Sequence, residues 1–159
     1  MNPMPEIDGA FDGKGLKVGV AVACFNAFVT EGLLRGAVEA LAAAGAPDPV
    51  VLRVAGSFEL PVAARALAGA GCDCVVALGA VIKGETDHYE HVAAQAIAGL
   101  QQVAVQTGVP VALGVLTARK AEQARARSLP GPGNKGAEAA EAAVRAAQAL
   151  RRLRGEPGS

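Results

Sequence analysis

His88 and His91 are the only histidines in the chain, and both follow the loop Lys83-Gly84-Glu85-Thr86-Asp87. An imidazole gives and takes protons near neutrality, so His88 at the mouth of this loop is a candidate general acid and base. Gly84 permits close backbone approach. The amides around Glu85, Thr86 and Asp87 are expected as first-turn donors of a following helix, where the helix dipole favours an anion. A phosphate or carboxylate is the natural guest, and Thr86 adds a hydroxyl. The competing reading is that Thr86 or Asp87 only caps the helix. Zinc fits poorly. The zinc-binding helix motif spaces its histidines four apart around a Glu base, whereas here they are three apart with no third ligand. His91 reads as a helix-surface or interface residue.

Other stretches carry usable groups. In Gly56-Ser57-Phe58-Glu59-Leu60-Pro61, Ser57 and Glu59 supply a hydroxyl and a carboxylate that could hold a polyol, or could simply start a helix. Phe25, followed by Asn26, could stack on a planar heterocycle or could fill the core. Arg127 and Lys135 flank a Pro-Gly break and could reach a phosphate or a developing anion, or form a solvated basic face. There is no G-x-G-x-x-G, no G-x-x-x-x-G-K-[ST] and no serine elbow, so dinucleotide, NTP and acyl-hydrolase chemistry lack their signatures.

The elements that must position these groups follow from periodicity. Apolar runs at 16–23, 50–55, 74–82 and 110–117 predict four strands. Helical spacing predicts helices over 28–44, from a start marked by Ser57 and Pro61 to Gly69, over 88–107, over 119–127 and over 135–154. Thr30 is the expected N-cap of the first, and Gly45 its stop. Four strand–helix alternations imply right-handed βαβ units, hence an α/β fold with a parallel sheet between two helical layers. Ligands of such sheets bind outside the carboxyl ends of the strands, and every chemically loaded stretch above falls on that edge.

One domain is expected over 15–154, with an N-terminal arm over 1–14 and a frayed tail over 155–159. The 159 residues carry no net charge, which argues against nucleic acid as the partner. Hydrophobic residues make up 52% and aromatics 3%, so the core must be built from Ala, Val and Leu. Cys24, Cys72 and Cys74 are odd in number and read as reduced thiols in a cytoplasmic protein. No charged, then apolar, leader opens the sequence. From Val92 to Ala118 the chain has no formal charge, but its glutamines and the Gly108-Val109-Pro110 break argue against a membrane span. A helix without a charged face predicts instead that a neighbouring subunit covers it.

The blocks Cys24-Phe25-Asn26, "GSFELP" (56–61), "GAVIKGETDHYEHV" (79–92), "GVLT" (114–117) and "GNKG" (133–136), in this order and spacing, resemble the lumazine synthase family of riboflavin synthesis. The resemblance runs from about Gly15 to Arg152. It implies a flavodoxin-like three-layer sandwich with a four-stranded parallel sheet. It also implies condensation of 5-amino-6-(D-ribitylamino)uracil with 3,4-dihydroxy-2-butanone 4-phosphate to 6,7-dimethyl-8-ribityllumazine, without metal or redox cofactor. Phe25 matches the ring that stacks on the pyrimidine, with Asn26 beside it. Ser57 and Glu59, with Phe58 between them, match the positions that hold the ribityl chain, and Ala80, Val81 and Ile82 match the strand end lining the heterocycle. Gly84, Glu85, Thr86 and Arg127 match the phosphate site, His88 the proton carrier and Lys135 the contact to the pyrimidine carbonyl. Leu113 stands where the family often has a larger aromatic facing the neighbouring subunit.

The family assembles as pentamers, sometimes packed into icosahedral shells, with sites shared between subunits, and riboflavin synthase is a candidate partner. A non-catalytic flavin- or lumazine-binding shell protein is the alternative reading. The His88, Thr86, Arg127 and Lys135 set argues against it.

Overall fold

A computed structural model describes residues 4–155. Its four strands are β1 (Val18–Ala23), β2 (Val50–Val54), β3 (Cys74–Ile82) and β4 (Val111–Ala118), all parallel, in the order β2-β1-β3-β4. This is the first part of the flavodoxin-like order, in which the crevice opens where the winding reverses, between β1 and β3. The helices are α1 (Ala27–Ala43), α2 (Leu60–Gly69), α3 (His88–Thr107), α4 (Ala121–Ala126) and α5 (Lys135–Leu153).

The apolar runs explain the layers. β3 is buried from Cys74 to Val81, so its continuous Val/Ala/Leu sequence suits a central strand covered on both faces. On one face Val18, Val20, Val22, Val76 and Leu78 meet Leu33, Leu41 and Val144 of α1 and α5. On the other, Ala21, Val75 and Ala77 meet Leu60, Leu67, Leu100 and Val103 of α2 and α3. Small residues let these layers close tightly. Gly136 lies so near the Leu33 carbonyl of α1 that a side chain there would overlap it.

Thr30 is not the cap of α1. Asn26 holds that position in left-handed geometry, while Thr30 lies a turn inside the helix, buried, with its hydroxyl unpaired. Gly45 does stop α1. Its φ of +79° is a glycine conformation, and Gly45 N and Ala46 N donate to Ala42 O and Leu41 O at 3.0 Å each, closing a Schellman motif. Ser57–Glu59 form a separate 3-10 turn before α2, with Pro61 in the first turn of α2 itself.

The described part of the N-terminal arm is docked along α5. Gln148 Nε2 donates to Asp12 O (2.5 Å), Arg152 Nη1 to Asp8 O (2.5 Å) and Arg145 Nη1 to Gly9 O (3.3 Å), and the Arg145 guanidinium lies 5.7 Å from the Phe11 ring centre. Gly155 is a turn after α5, and the rest of the expected tail lies outside the described residues. No helix among the described residues is long and apolar enough to cross a membrane. The uncharged stretch from Val92 is α3 followed by β4.

Candidate active site

The crevice between β1 and β3 is made by unequal strand lengths. β1 pairs with β3 as far as Val22 opposite Leu78, whereas β3 continues beside β4 to Ile82 opposite Ala118. Ala80, Val81 and Ile82 therefore have β4 on one side and no β1 residue on the other. Into this gap the chain after β1 turns sharply. Asn26 adopts φ 64° and ψ 47°, which asparagine tolerates better than most residues, and its Nδ2 donates to Ala80 O at 2.9 Å. Asn26 thus ties the loop bearing Phe25 to the open end of β3.

A cavity of ≈ 230 Å³ occupies the gap, lined by Phe25, Asn26, Gly56, Ser57, Phe58, Ala80, Val81, Ile82, His88, Tyr89 and Val92. Phe25 and Phe58 are 70% and 61% exposed, so neither ring is core packing in this chain. Ser57 is only 6% exposed, and its hydroxyl makes no hydrogen bond with any described group. Glu59 is not in the lining. Its Oε1 accepts from Gly56 N at 3.0 Å, which fixes the turn that presents Ser57. Stacking rings, a strand edge with open amides, a hydroxyl and an imidazole together suit a planar, hydrogen-bonding heterocycle with a polar side chain.

Gly84, Glu85 and Thr86 form an exposed loop leading into α3. Asp87 is the N-cap residue but makes no side-chain cap, and the Thr86 hydroxyl accepts only a long 3.4 Å bond from His88 N. No described group accepts from the amides of Glu85, Thr86 or Asp87. These donors, at the positive end of a 20-residue helix, face solvent beside His88. His91 is exposed on the same helix, outside the lining. Among the described residues no group of three or more His, Cys, Asp or Glu side chains converges.

Leu113, Arg127 and Lys135 lie outside the cavity lining. Leu113 is 52% exposed on β4. Arg127 ends α4, where its Nη1 donates to Gln123 O (2.8 Å) and its carbonyl accepts from Lys135 N (2.9 Å). Lys135 Nζ is 2.8 Å from Glu138. One buried residue holds this second cluster in place. Asn134, 2% exposed, donates through Nδ2 to Gly32 O (3.2 Å), Ser128 O (3.1 Å) and Leu129 O (3.0 Å), and its Oδ1 accepts from Ala137 N (3.0 Å). It binds the Pro-Gly loop to α1 and starts α5.

The structure also places groups that the sequence did not single out. Tyr89 and Val92 complete the lining together with Gly56 of the stretch already named. Val92 had a usable signal, since it lies one turn beyond His88 on the same helix face. Between β2 and α1, Arg53 pairs with Glu31 at 2.5 Å. That hydrogen bond, ahead of the cost of burial, holds the Glu31 carboxyl below its usual range.

A family model described as 6,7-dimethyl-8-ribityllumazine synthase matches residues 15–151. A protein from Kineococcus radiotolerans bearing the same description is 51% identical over 137 residues, which span 85% of this chain and 84% of that protein.

Proposed function

We propose that this chain, which belongs to the 6,7-dimethyl-8-ribityllumazine synthase family, carries out that condensation in a cleft completed by a neighbouring copy of itself. The reaction joins 5-amino-6-(D-ribitylamino)uracil to 3,4-dihydroxy-2-butanone 4-phosphate and releases phosphate and water. The observation that carries the assignment of the site is the single cavity that holds Phe25, Ser57, the open end of β3 and His88 together. The pyrimidine stacks on Phe25 and meets the backbone of Ala80–Ile82, with Phe58, Tyr89 and Val92 as apolar walls. Ser57 receives the ribityl chain, and Glu59 fixes the turn that presents it. The phosphate sits on the amides of Glu85 and Thr86 at the start of α3.

The chemistry requires proton movement more than a strong nucleophile. The amine attacks the ketone, and the carbinol oxygen takes a proton and leaves as water, giving an imine. Removal of the neighbouring C–H proton expels phosphate. The enol left behind tautomerises, the terminal carbon gaining a proton to become a methyl group and the former hydroxyl carbon becoming a ketone. The ribitylamino nitrogen then closes the ring on that new carbonyl with loss of a further water. In this reading His88, which lines the cavity, carries these protons, a contribution of about 10²–10⁴-fold. Holding two substrates in register supplies the remainder.

Leu113, Arg127 and Lys135 belong, in this reading, to the half-site that a second copy presents. Two features support a ring of subunits. Beyond its first turn, which carries Glu90, the outward face of α3 exposes Ala94, Gln95, Ala98, Gln101, Gln102 and Val105 without a single charge, and Val105 is 72% exposed. Leu113, on the β4 face toward α3, extends that surface. We propose a homo-pentamer acting in the cytoplasm, with Arg127 completing the phosphate site and Lys135 contacting the pyrimidine carbonyl. Incubating purified protein with the two substrates should yield fluorescent lumazine and one phosphate per product. Folded, assembled protein that yields neither would overturn this reading.

A further inference from the structure

We propose that Gly79 is a positioning residue for the Ser57 hydroxyl; this rests on the reading that Ser57 holds the ribityl chain. Gly79 lies in the buried stretch of β3, just past the point where β1 stops pairing with it. It is not among the glycines with positive φ, so backbone conformation does not demand glycine there. Space does. A Cβ on Gly79 would lie 2.5 Å from Ser57 Oγ, 3.1 Å from Leu60 Cδ1 and 3.5 Å from Ser57 Cβ. The last is ordinary contact, and the leucine methyl needs to give by only a few tenths of an ångström. The hydroxyl oxygen is the one atom that cannot stay.

The turn carrying Ser57 cannot retreat to make room. It is closed by Gly56 N to Glu59 Oε1 at 3.0 Å and by Glu59 N to Gly56 O at 3.2 Å. An alanine at 79 would therefore rotate Ser57 into another staggered well and carry its hydroxyl off the cavity wall. The absence of one methyl group from β3 keeps a polar contact aimed at the substrate's side chain.

The test is steady-state kinetics on the assembled enzyme with Gly79→Ala, Ser57→Ala and the double variant. Each single change should raise KM for the ribitylamino substrate about threefold to tenfold, the weight of one neutral hydrogen bond. KM for the phosphate-bearing substrate should stay unchanged. The double variant should match either single variant, because without the hydroxyl the added methyl meets only the Leu60 methyl and the Cβ at 57, which accommodate it with little movement. Effects that multiply in the double variant would overturn the proposal. So would a raised KM in Ser57→Ala with none in Gly79→Ala. An unchanged KM in Ser57→Ala would instead remove the polyol role of Ser57, and the inference with it. If Gly79→Ala does not fold, the double variant decides. A folded double variant identifies the hydroxyl as the colliding atom, and an unfolded one shifts the collision to Leu60 and sinks the idea.

Discussion

Asn26 offers the sharpest perturbation, because two separable energies meet in one residue. It is the one non-glycine residue with positive φ among those described, and its Nδ2 bonds Ala80 O at 2.9 Å. Left-handed geometry costs an ordinary L-residue about 1–2 kcal/mol, and asparagine less. The hydrogen bond contributes about 0.5–1.5 kcal/mol. Asn26→Ala loses the bond and takes on added strain of roughly 1 kcal/mol, so it should cost about 2 kcal/mol. For a domain of this size that lowers Tm by about 4–8 °C. Asn26→Gly loses the same bond but relieves the strain, and the greater freedom of unfolded glycine returns about 0.5–1 kcal/mol of that relief. Its Tm should fall by about 2–4 °C. Both variants release the Phe25 loop from β3, so both should raise KM for the ribitylamino substrate. Thermal melts at one fixed protein concentration, since assembly itself stabilises, and substrate titrations read these effects. Alanine as stable as glycine, or KM unaffected in both, would refute the reasoning.

Other outcomes follow from neighbouring parts of the structure. His88→Ala should lower kcat by about 10²–10⁴-fold with little change in either KM, measured by lumazine fluorescence. Burial first, then the negative neighbours Asp73 and Cys72, pushes the Cys74 thiol up to about 12, whereas an exposed thiol ionises near 9.0. The native state keeps its proton where the unfolded chain loses one. Its contribution is therefore complete below about pH 9 and should drain away between about 9 and 12, at roughly 1.4 kcal/mol per pH unit. Urea midpoints from about pH 8 to 11 should fall less steeply in Cys74→Ala. Gly136→Ala places a methyl against the Leu33 carbonyl where α1 crosses α5, and should cost at least about 1–3 kcal/mol in denaturant unfolding.

The scaffold was legible because its signals are local. "CVVALGAVI" reads as a strand and is β3 from Cys74 to Ile82, while the expected strand at 110–117 is displaced by one residue to Val111–Ala118. Glycine and proline marked helix ends through backbone geometry that does not depend on the fold. Thr30 misled because its side chain has a cap's chemistry, whereas the turn after β1 is set by Asn26 and its long-range bond to Ala80. Tyr89, the Asn134 anchor and the docking of the arm on α5 depend on residues distant in sequence, and periodicity carries no such information. The same limit applies to Gly79, whose significance lies in what an absent methyl would touch.

The central claim is that Arg127 of one subunit serves His88 of another. Arg127→Ala and His88→Ala proteins, each nearly inactive alone, should be unfolded, mixed in equal amounts and reassembled. In a ring with sites between neighbours, roughly a quarter of the interfaces then pair two intact halves, and activity should return toward that fraction of the unmodified enzyme. Activity no greater than the mean of the two parents would place both residues in one subunit's site and contradict the account.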